Sequence, residues 1–296
     1  MLRGLGTAAA GMISQQRKHD TITNNIANIN TPGYKQGNSV NRSFPEMLIA
    51  LSGGGNGTNN DVKQIGRLNT GVFAEEEPFT FVQGELYETK NPSDFAIASF
   101  IEVPGVQFDA SGKAVQEDGT KIFRPQAFFT VADANNELRF TRNGKFTVDS
   151  AGQLVTGDGL RVVDQNMQPI VIQGRSISEV KANERGQLFS AFTGEPILNA
   201  AGQAVQLRIS VLDNPNDLIR EGNGNFRLAN ADDIPEELGA NDRVQVSQGF
   251  IERSNVDANQ SMVDMMAALR AYEANQKVVQ FYDRSLEKLV NEVGRV

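Results

Sequence analysis

The stretch Asn24–Lys35 reads NNIANINTPGYK, and it predicts the point at which a helix ends and a turn begins. Pro32 disfavours helical backbone at the residue before it, so the preceding helix is expected to end by Asn30 or slightly earlier. Pro32 and Gly33 together favour a type II turn in which Gly33 has a positive φ. The segment is therefore predicted to fix where the helix stops and how the chain leaves it.

The side chains of this stretch suit such a fixed joint. Asparagine tolerates left-handed backbone, and its carboxamide can satisfy carbonyls left unpaired at a helix end. Tyr34 supplies a large amphipathic side chain just after the bend. Replacing Gly33 with valine is expected to misdirect the chain while leaving the melting of the monomer unchanged. An ordinary capped helix end would show the same pattern, but the residues predicted to form the joint are Asn25, Asn28, Thr31, Pro32, Gly33 and Tyr34.

A heptad spacing precedes the joint and recurs at the other end of the chain. Steps of three and four residues connect a set near each terminus, which predicts a long helix with a narrow apolar stripe at each end. Any surface helix can pack such a stripe on its own domain, but here both helices flank a long middle region without helical periodicity. The stripe residues predicted to form an assembly seam are Leu5, Met12, Ile22, Ile26, Ile29, Met262, Met265, Leu269, Tyr272, Val279 and Leu286.

The region between the two helices is predicted to be β-structure. Turn signals recur every eight to ten residues between short β-rich runs such as 154–156 and 160–163, which is typical of short antiparallel strands. Asn143-Gly144 between 139–142 and 145–149 predicts a hairpin with a type I′ turn.

The fold class is therefore α+β, with heptad helices flanking a mainly antiparallel β region. We expect an N-terminal assembly helix and turn (1–35), an extended or flexible connector (36–79), a β-rich region (80–250) and a C-terminal assembly helix (251–296). Turn signals at Pro104-Gly105, Ser111-Gly112 and Asp118-Gly119 predict a removable surface insertion over 100–126.

Composition excludes several classes of function. The net charge of −8 gives a nucleic-acid role no electrostatic support. The chain has no cysteine and a single histidine, His19, which excludes thiol catalysis, disulfides and Cys/His zinc sites. Asp164 begins a sequence like a calcium loop, but Pro169 and Arg175 occupy positions that require glycine and glutamate. We therefore predict no catalytic residue, cofactor or metal site, and no enzyme activity.

Membrane and signal segments are also not expected. No apolar run approaches the roughly 18–20 residues that span a bilayer. The stretch 5–13 could be taken for the core of a signal peptide. However, the apolar period continues through polar positions to Ile29, which favours a mature helix over a cleaved signal.

Four stretches of this sequence, in order, resemble one known family. Residues 24–35 are similar to the N-terminal signature of bacterial flagellar rod and hook proteins. Residues 84–97, 140–156 and 254–275 resemble that family's entry into its β region, its β-hairpin and its C-terminal helix. The resemblance covers the whole chain in register, and it is closest to the distal-rod type found as a paralogue in Gram-positive bacilli.

The resemblance implies a structural subunit of the flagellar basal-body rod, which polymerises through paired terminal helices and transmits torque from motor to hook. It implies export through the flagellar type III apparatus without a cleaved signal, and a place in the cell envelope outside the cytoplasmic membrane. The implied partners are other copies, other rod and hook subunits and the export apparatus, with no cofactor, nucleic acid or membrane span.

One departure and two alternatives accompany this interpretation. About thirty residues separate Asp94–Ile97 from Phe128–Val131, where the family usually runs one strand almost directly into the next, and Ala127 replaces a glycine. A secreted β-rich adhesin or cell-wall-binding module would need no terminal heptads. A wall hydrolase would need a constellation of carboxylates in a cleft.

Overall fold

The computed structural model describes residues 2–51, 63–75, 79–109, 112–116, 119–172, 176–199, 202–230, 235–239 and 243–293. The glycine-rich part of the predicted connector, 52–61, lies outside these residues. The chain divides into two compact units. Unit 1 comprises 1–26, 37–78 and 257–296, and unit 2 comprises 27–36 and 79–256.

Unit 1 contains the two terminal helices and two pairs of short strands. Helix α1 spans Leu2–Ala27 and helix α2 spans Ala258–Lys288, with a π-helical turn at Leu289–Val293. Strand β1 (Asn41–Ser43) pairs antiparallel with β4 (Val72–Ala74), and β2 (Met47–Leu51) pairs antiparallel with β3 (Lys63–Leu68). The predicted helices at both ends are confirmed. α1 stops before the predicted limit at Asn30, and Asp257 caps α2 by accepting hydrogen bonds from the amides of Asn259 and Gln260.

The two helices pack against each other in antiparallel orientation through small residues. Gly4 lies so close to the Tyr282 hydroxyl that a Cβ would not fit, and a Cβ on Gly11 would lie 2.9 Å from Asn275 Nδ2. The two contacts are one heptad apart on each helix and run in opposite directions. Glycine is unfavourable inside a helix, so its presence here is explained by the close approach of α2.

A second stripe of α1 packs on β1 and on the loop before β4. Ser14 is fully buried, and its hydroxyl donates a 2.6 Å hydrogen bond to Asn41 Oδ1. Thr7 donates to the carbonyl of Thr70 at 3.2 Å, and Ala10 lies beside Gly71. This stripe is polar and small, so the apolar periodicity of the sequence did not reveal it.

Unit 2 is built from short antiparallel strands. In chain order they are β5 (Leu86–Glu88), β6 (Phe95–Ser99), β7 (Lys113–Val115), β8 (Lys121–Phe123), β9 (Gln126–Ala132), β10 (Leu138–Thr141), β11 (Phe146–Val148), β12 (Leu154–Thr156), β13 (Arg161–Val162), β14 (Val180–Ala182), β15 (Leu188–Ser190), β16 (Ile209–Leu212), β17 (Leu218–Gly222), β18 (Asn225–Leu228), β19 (Glu236–Glu237), β20 (Val244–Gln248) and β21 (Phe250–Glu252). Short 3₁₀ turns occupy Ile177–Glu179 and Pro215–Asp217.

The central strand of this unit is β9, which is buried along its whole length. The described sheet runs β11-β12-β13-β9-β10-β18-β17, with β16 also on β9 and β19 on β16. Because side chains alternate across a sheet, Phe129 and Val131 enter one core with Phe146 and Leu154, whereas Phe128 enters a second core. Phe81, Phe140 and Phe226 are among the residues that complete the second core.

The hairpin predicted across Asn143-Gly144 is wrong. β10 pairs with β9 and β18, and β11 pairs with β12. The intervening residues bond to another segment: the amide of Phe95 donates to the Gly144 carbonyl at 2.9 Å, and the amide of Phe146 donates to the Ser93 carbonyl at 3.1 Å. Gly144 has no positive φ, and a Cβ there would overlap the Phe95 carbonyl. Close backbone approach, not turn geometry, explains this glycine.

The insertion contains the β7–β8 hairpin, but its bounds are narrower than 100–126. Arg124 stacks over Phe108, 5.2 Å from the ring centre, and closes the base of the hairpin. Ile101 belongs to the core, and Gln126 is buried, where its side-chain oxygen accepts a hydrogen bond from Arg142. Removal of the whole predicted range would therefore remove core residues.

Candidate functional site

The predicted assembly seam does not lie on one face of unit 1. On α2 the face that is buried or half-buried repeats in steps of four and three: Ser261, Met265, Ala268, Tyr272, Asn275, Val279, Tyr282 and Leu286. Four predicted seam residues are on this inner face, namely Met265, Tyr272, Val279 and Leu286. On α1 and just beyond its end, Ile22 is buried, whereas Leu5, Met12, Ile26 and Ile29 are half-buried.

The other two predicted seam residues of α2 point outward. Met262 and Leu269 are 55% and 43% exposed, and their neighbours Val263 and Met266 are exposed by similar fractions. We call these four side chains the outer patch. They occupy two successive turns of α2 on the side away from its inner face. A cluster of four large apolar side chains on one helix face is more than the scattered exposure normal for a protein surface.

The residues predicted to form the joint lie around the end of α1 and the turn after it, and the first of them is Asn25. This side chain is buried, and its Nδ2 donates to the Gly37 carbonyl at 2.8 Å while its Oδ1 accepts from the Gly37 amide at 3.0 Å. One carboxamide thus pairs with both polar groups of a single backbone residue. The last full turns of α1 are thereby tied to the chain that returns after the turn.

The turn itself has the predicted geometry. Gly33 has φ 71°, and the Tyr34 amide donates to the Thr31 carbonyl at 3.3 Å, as a type II turn with Pro32 and Gly33 at its centre requires. Asn28 receives two bonds from Thr31, one from the amide to its carbonyl and one from the hydroxyl to its Oδ1. The carboxamide of Asn28 therefore braces the turn from the helical side.

Tyr34 is the anchor that follows the turn. Its side chain is 1% exposed. Arg220 stacks over the ring, 4.1 Å from its centre, and donates a 3.1 Å hydrogen bond to the hydroxyl. The aromatic face and the polar tip are both satisfied, so the position of the chain after the turn is fixed by packing as well as by φ.

A buried ion cluster lies directly behind the turn, and the sequence patterns did not predict it. Lys35 Nζ lies 2.6 Å from Glu252 Oε1, and Arg142 Nη1 lies 3.3 Å from Glu252 Oε2. All three side chains are almost fully removed from solvent. We call Lys35, Arg142 and Glu252 the joint cluster.

Hydrogen bonds to backbone groups complete the cluster. Lys35 Nζ also donates to the Val82 carbonyl at 2.9 Å, and the Gly84 amide donates to Glu252 Oε1 at 2.8 Å. Arg142 donates to the Ile97 carbonyl and to the side chains of Ser99 and Gln126. Such bonds stabilise buried charges, although two buried atoms of the cluster, Arg142 Nε and Glu252 Oε2, have no hydrogen-bond partner among the described residues.

The environment lowers the pKa values of two members of the cluster, Lys35 and Glu252. Burial lowers the pKa of Lys35 to about 8, against the opposing attraction of Glu252. Burial alone would raise the pKa of Glu252, but the positive charges of Arg142 and Lys35 outweigh it and hold that pKa below its ordinary value of 4.5. Lys35 and Glu252 are therefore both ionised at neutral pH and form a buried ion pair.

Backbone bonds join the segments on either side of the cluster. The Gly33 amide donates to the Glu252 carbonyl at 2.8 Å, and the Gln36 amide donates to Asn255 Oδ1 at 2.7 Å. Asn255 Nδ2 donates in turn to the Thr80 carbonyl at 2.7 Å. The segment that follows α1 and the segment that precedes α2 are thus bonded to each other within unit 2.

One signal in the sequence could have revealed Arg142. Arg142 directly follows β10 and is two residues from Phe140, so extended backbone with a buried Phe140 places the guanidinium on the core side. No local pattern predicts the burial of Glu252, because its partners are 110 and 217 residues away in the chain.

The described residues contain neither a metal-binding cluster of side chains nor a membrane-spanning helix. Within the described ranges, no three His, Asp or Glu side chains gather in a way that could hold a metal ion. No helix among the described residues is both long and apolar enough to cross a bilayer.

Three family models of flagellar rod and hook proteins match three separate parts of the chain. Residues 5–35 match the flagella basal body rod protein family, 124–190 match the flagellar hook protein FlgE/F/G D1 domain, and 247–292 match the flagellar basal body rod FlgEFG protein C-terminal region. The first match contains the joint, and the third contains Glu252 and all of α2.

Individual relatives align over nearly the full length. The chain is 32% identical over 297 residues to the flagellar hook-basal body complex protein FlhO of Bacillus subtilis, with 100% of both chains covered. It is 29% identical to the flagellar basal-body rod protein FlgG of Borreliella burgdorferi, with 97% of each chain covered. It is 30% identical to FlgG of Agrobacterium fabrum, with 94% of each covered.

Proposed function

Because the chain belongs to the flagellar basal-body rod FlgEFG family, whose members are structural proteins and not enzymes, we propose that it is a rod subunit that polymerises through its terminal helices. The observation that carries the proposal is the outer patch. The inner face of α2 is covered within the chain, whereas Met262, Val263, Met266 and Leu269 remain exposed on the opposite side. Helices of neighbouring copies and of other rod and hook subunits are the partners that would cover it.

The geometry of such contacts supports a filament. The outer patch lies on one side of α2, and in a filament a different surface of the neighbouring copy would cover it. Contacts between unlike surfaces generate open helical assemblies when their rotation does not close. Within each subunit, the joint cluster ties the segment that follows α1 to the segment that precedes α2, and this suits a shaft that transmits torque.

The proposal includes a location and a set of partners. The subunit would lie in the basal body, outside the cytoplasmic membrane, and the flagellar type III apparatus would deliver it. Assignment to the distal-rod type rests on overall resemblance and on relatives named FlgG.

Electron microscopy of purified basal bodies tests this function. Cells should carry a copy of the gene with an affinity tag as their sole source of the protein. We expect gold-labelled antibody to mark the rod, and cells lacking the gene to lose motility and rod length. Label on the cell surface away from basal bodies, together with normal rods in the deletion strain, would contradict the proposal.

A further inference from the structure

Two short segments of unit 2 border a cleft of about 820 Å³. The first, 168–172, reads QPIVI, and the second, 195–199, reads EPILN. Each starts with a polar residue and a proline, and each contributes one sheet-like edge to the cleft. Neither segment takes part in the joint or the helices, so the proposed function leaves this cleft unexplained.

The first segment uses only one of its two edges. The amide of Ile170 donates to the Val162 carbonyl at 3.0 Å, and its carbonyl accepts from the Leu154 amide at 2.9 Å. The amide of Ile172 donates to the Gly152 carbonyl at 2.7 Å. Because backbone groups alternate in direction along an extended strand, the amide of Val171 and the carbonyls of Pro169 and Val171 point the other way. Among the described residues they have no hydrogen-bond partner.

The second segment repeats this arrangement. The amide of Ile197 donates to the Leu188 carbonyl at 2.9 Å, and its carbonyl accepts from the Val205 amide at 2.7 Å. The amide of Asn199 donates to the Gln203 carbonyl at 2.8 Å. By the same alternation, the amide of Leu198 and the carbonyls of Pro196 and Leu198 are unpaired within the described chain.

We propose that this cleft binds a short extended segment of a partner protein, which adds as a β-strand to one or both free edges. Unpaired amides and carbonyls at strand spacing are the groups that recognise an extended peptide. Val171 and Leu198 are 38% and 57% exposed and line the cleft beside those groups, so they offer apolar contact to alternate side chains of the segment.

The lining also indicates the length and charge of the segment. Each proline removes one amide, so each edge offers one donor and two acceptors, which limits pairing to a few residues. Two charged side chains line the cleft, and both are acidic. Glu195 is exposed, whereas Asp164 is 2% exposed and accepts hydrogen bonds from the amides of Asn166 and Gln168. The bound segment is therefore short, with lysine or arginine alternating with valine or isoleucine.

Hydrogen exchange on the intact protein tests the proposal without any substitution. The probe is a short fluorescein-labelled peptide that alternates lysine and valine, and its control has every second backbone nitrogen methylated. We expect the amides of Val171 and Leu198 to exchange rapidly in the free protein and to slow when the probe is added, but not with the methylated control. Slow exchange at both amides in the protein alone, at a concentration where copies associate, would assign the cleft to a second copy and overturn the proposal.

Matched variants supply an independent measurement by fluorescence anisotropy. Val171→Pro and Leu198→Pro each remove an amide that has no partner among the described residues, and they break no ladder bond. Val171→Thr and Leu198→Thr keep the amide and the approximate shape. We expect each proline variant to weaken probe binding by about tenfold, and the threonine variants to bind like the parent. If one proline variant does not fold, the other proline variant and the hydrogen-exchange data determine whether the proposal holds. Parent-like binding by both folded proline variants, or no binding by the parent, would overturn the proposal.

Discussion

At the scale of single residues, a carboxylate buried between two cations affects the free energy of unfolding more than a carboxylate on the surface does. Substitution of Glu252 measures this difference. Glu252→Gln keeps the acceptor for the Gly84 amide but leaves Lys35 and Arg142 buried without a countercharge. We expect the free energy of unfolding to fall by about 3–5 kcal/mol in urea titrations. Glu85→Gln is the matched control, because it breaks only the exposed pair with Arg253 and should cost about 0–1 kcal/mol. Equal effects of the two changes would contradict a structural role for the cluster.

The same residue predicts how stability depends on pH. The pKa of Glu252 is lowered in the folded protein, so below its ordinary value of 4.5 the unfolded chain binds more protons than the folded one. Its contribution to stability is therefore complete above that value and is lost as the pH falls through the folded-state pKa. Urea titrations across this acidic range should show a smaller dependence on pH in Glu252→Gln than in the parent. A parallel decline in both proteins would show that other carboxylates dominate.

Substitutions at Gly33 and at a control glycine distinguish the cost of backbone strain from the cost of steric overlap. Its φ is 71°, and an added Cβ would overlap the backbone of Arg142, so Gly33→Ala should destabilise the protein by more than about 1 kcal/mol. Gly105 has a similar φ of 80° with open space around it, which makes Gly105→Ala the control for strain alone. The structure thereby revises the expectation that a larger residue at 33 would leave melting unchanged. Equal melting temperatures for the two alanine variants would contradict this account.

At the scale of elements, a charge placed in the outer patch of α2 is expected to affect assembly but not the stability of the monomer. Leu269→Asp places a charge in the exposed outer patch, so the monomer should melt like the parent within about 0.5 kcal/mol. An assembled helix contact would instead bury that charge without a partner. We therefore expect cells carrying only this variant to lose motility, as measured by swarming. Ala274→Asp, at an exposed position beyond the patch on the same helix, should swarm normally. Normal swarming with Leu269→Asp would remove the outer patch from the assembly surface.

The elements also show how far sequence reasoning reaches. Both terminal helices and the turn at Gly33 were predictable because heptads, proline and glycine act locally. The partner of β11 was not, because Asn143-Gly144 resembles a hairpin turn while its backbone actually pairs with 93–95. The buried stripe of α1 around Ser14 escaped because it is polar. The joint cluster was not predicted because charged residues are normally exposed, and its members are brought together only by contacts between segments distant in the sequence.

At the scale of the whole molecule, each of the two units is stabilised internally by its own kind of packing. The contact between α1 and α2 in unit 1 uses Gly4 and Gly11, whereas unit 2 has two cores rich in phenylalanine. Local opening is easier where fewer apolar contacts are buried. Hydrogen exchange in dilute solution should therefore be faster in both terminal helices than in β9, β10 and β16. Equal protection of the helices and these strands would contradict the expectation.

The separation of the joint residues along the chain has a kinetic consequence. Lys35 and Glu252 are 217 residues apart, and closing a loop of that length costs roughly 5 kcal/mol of chain entropy. A chain that emerges with its N-terminus first holds Lys35 long before Glu252 exists to receive it. The ion cluster can therefore form only after almost the entire polypeptide is present. A chain truncated before Glu252 lacks the carboxylate that pairs with Lys35.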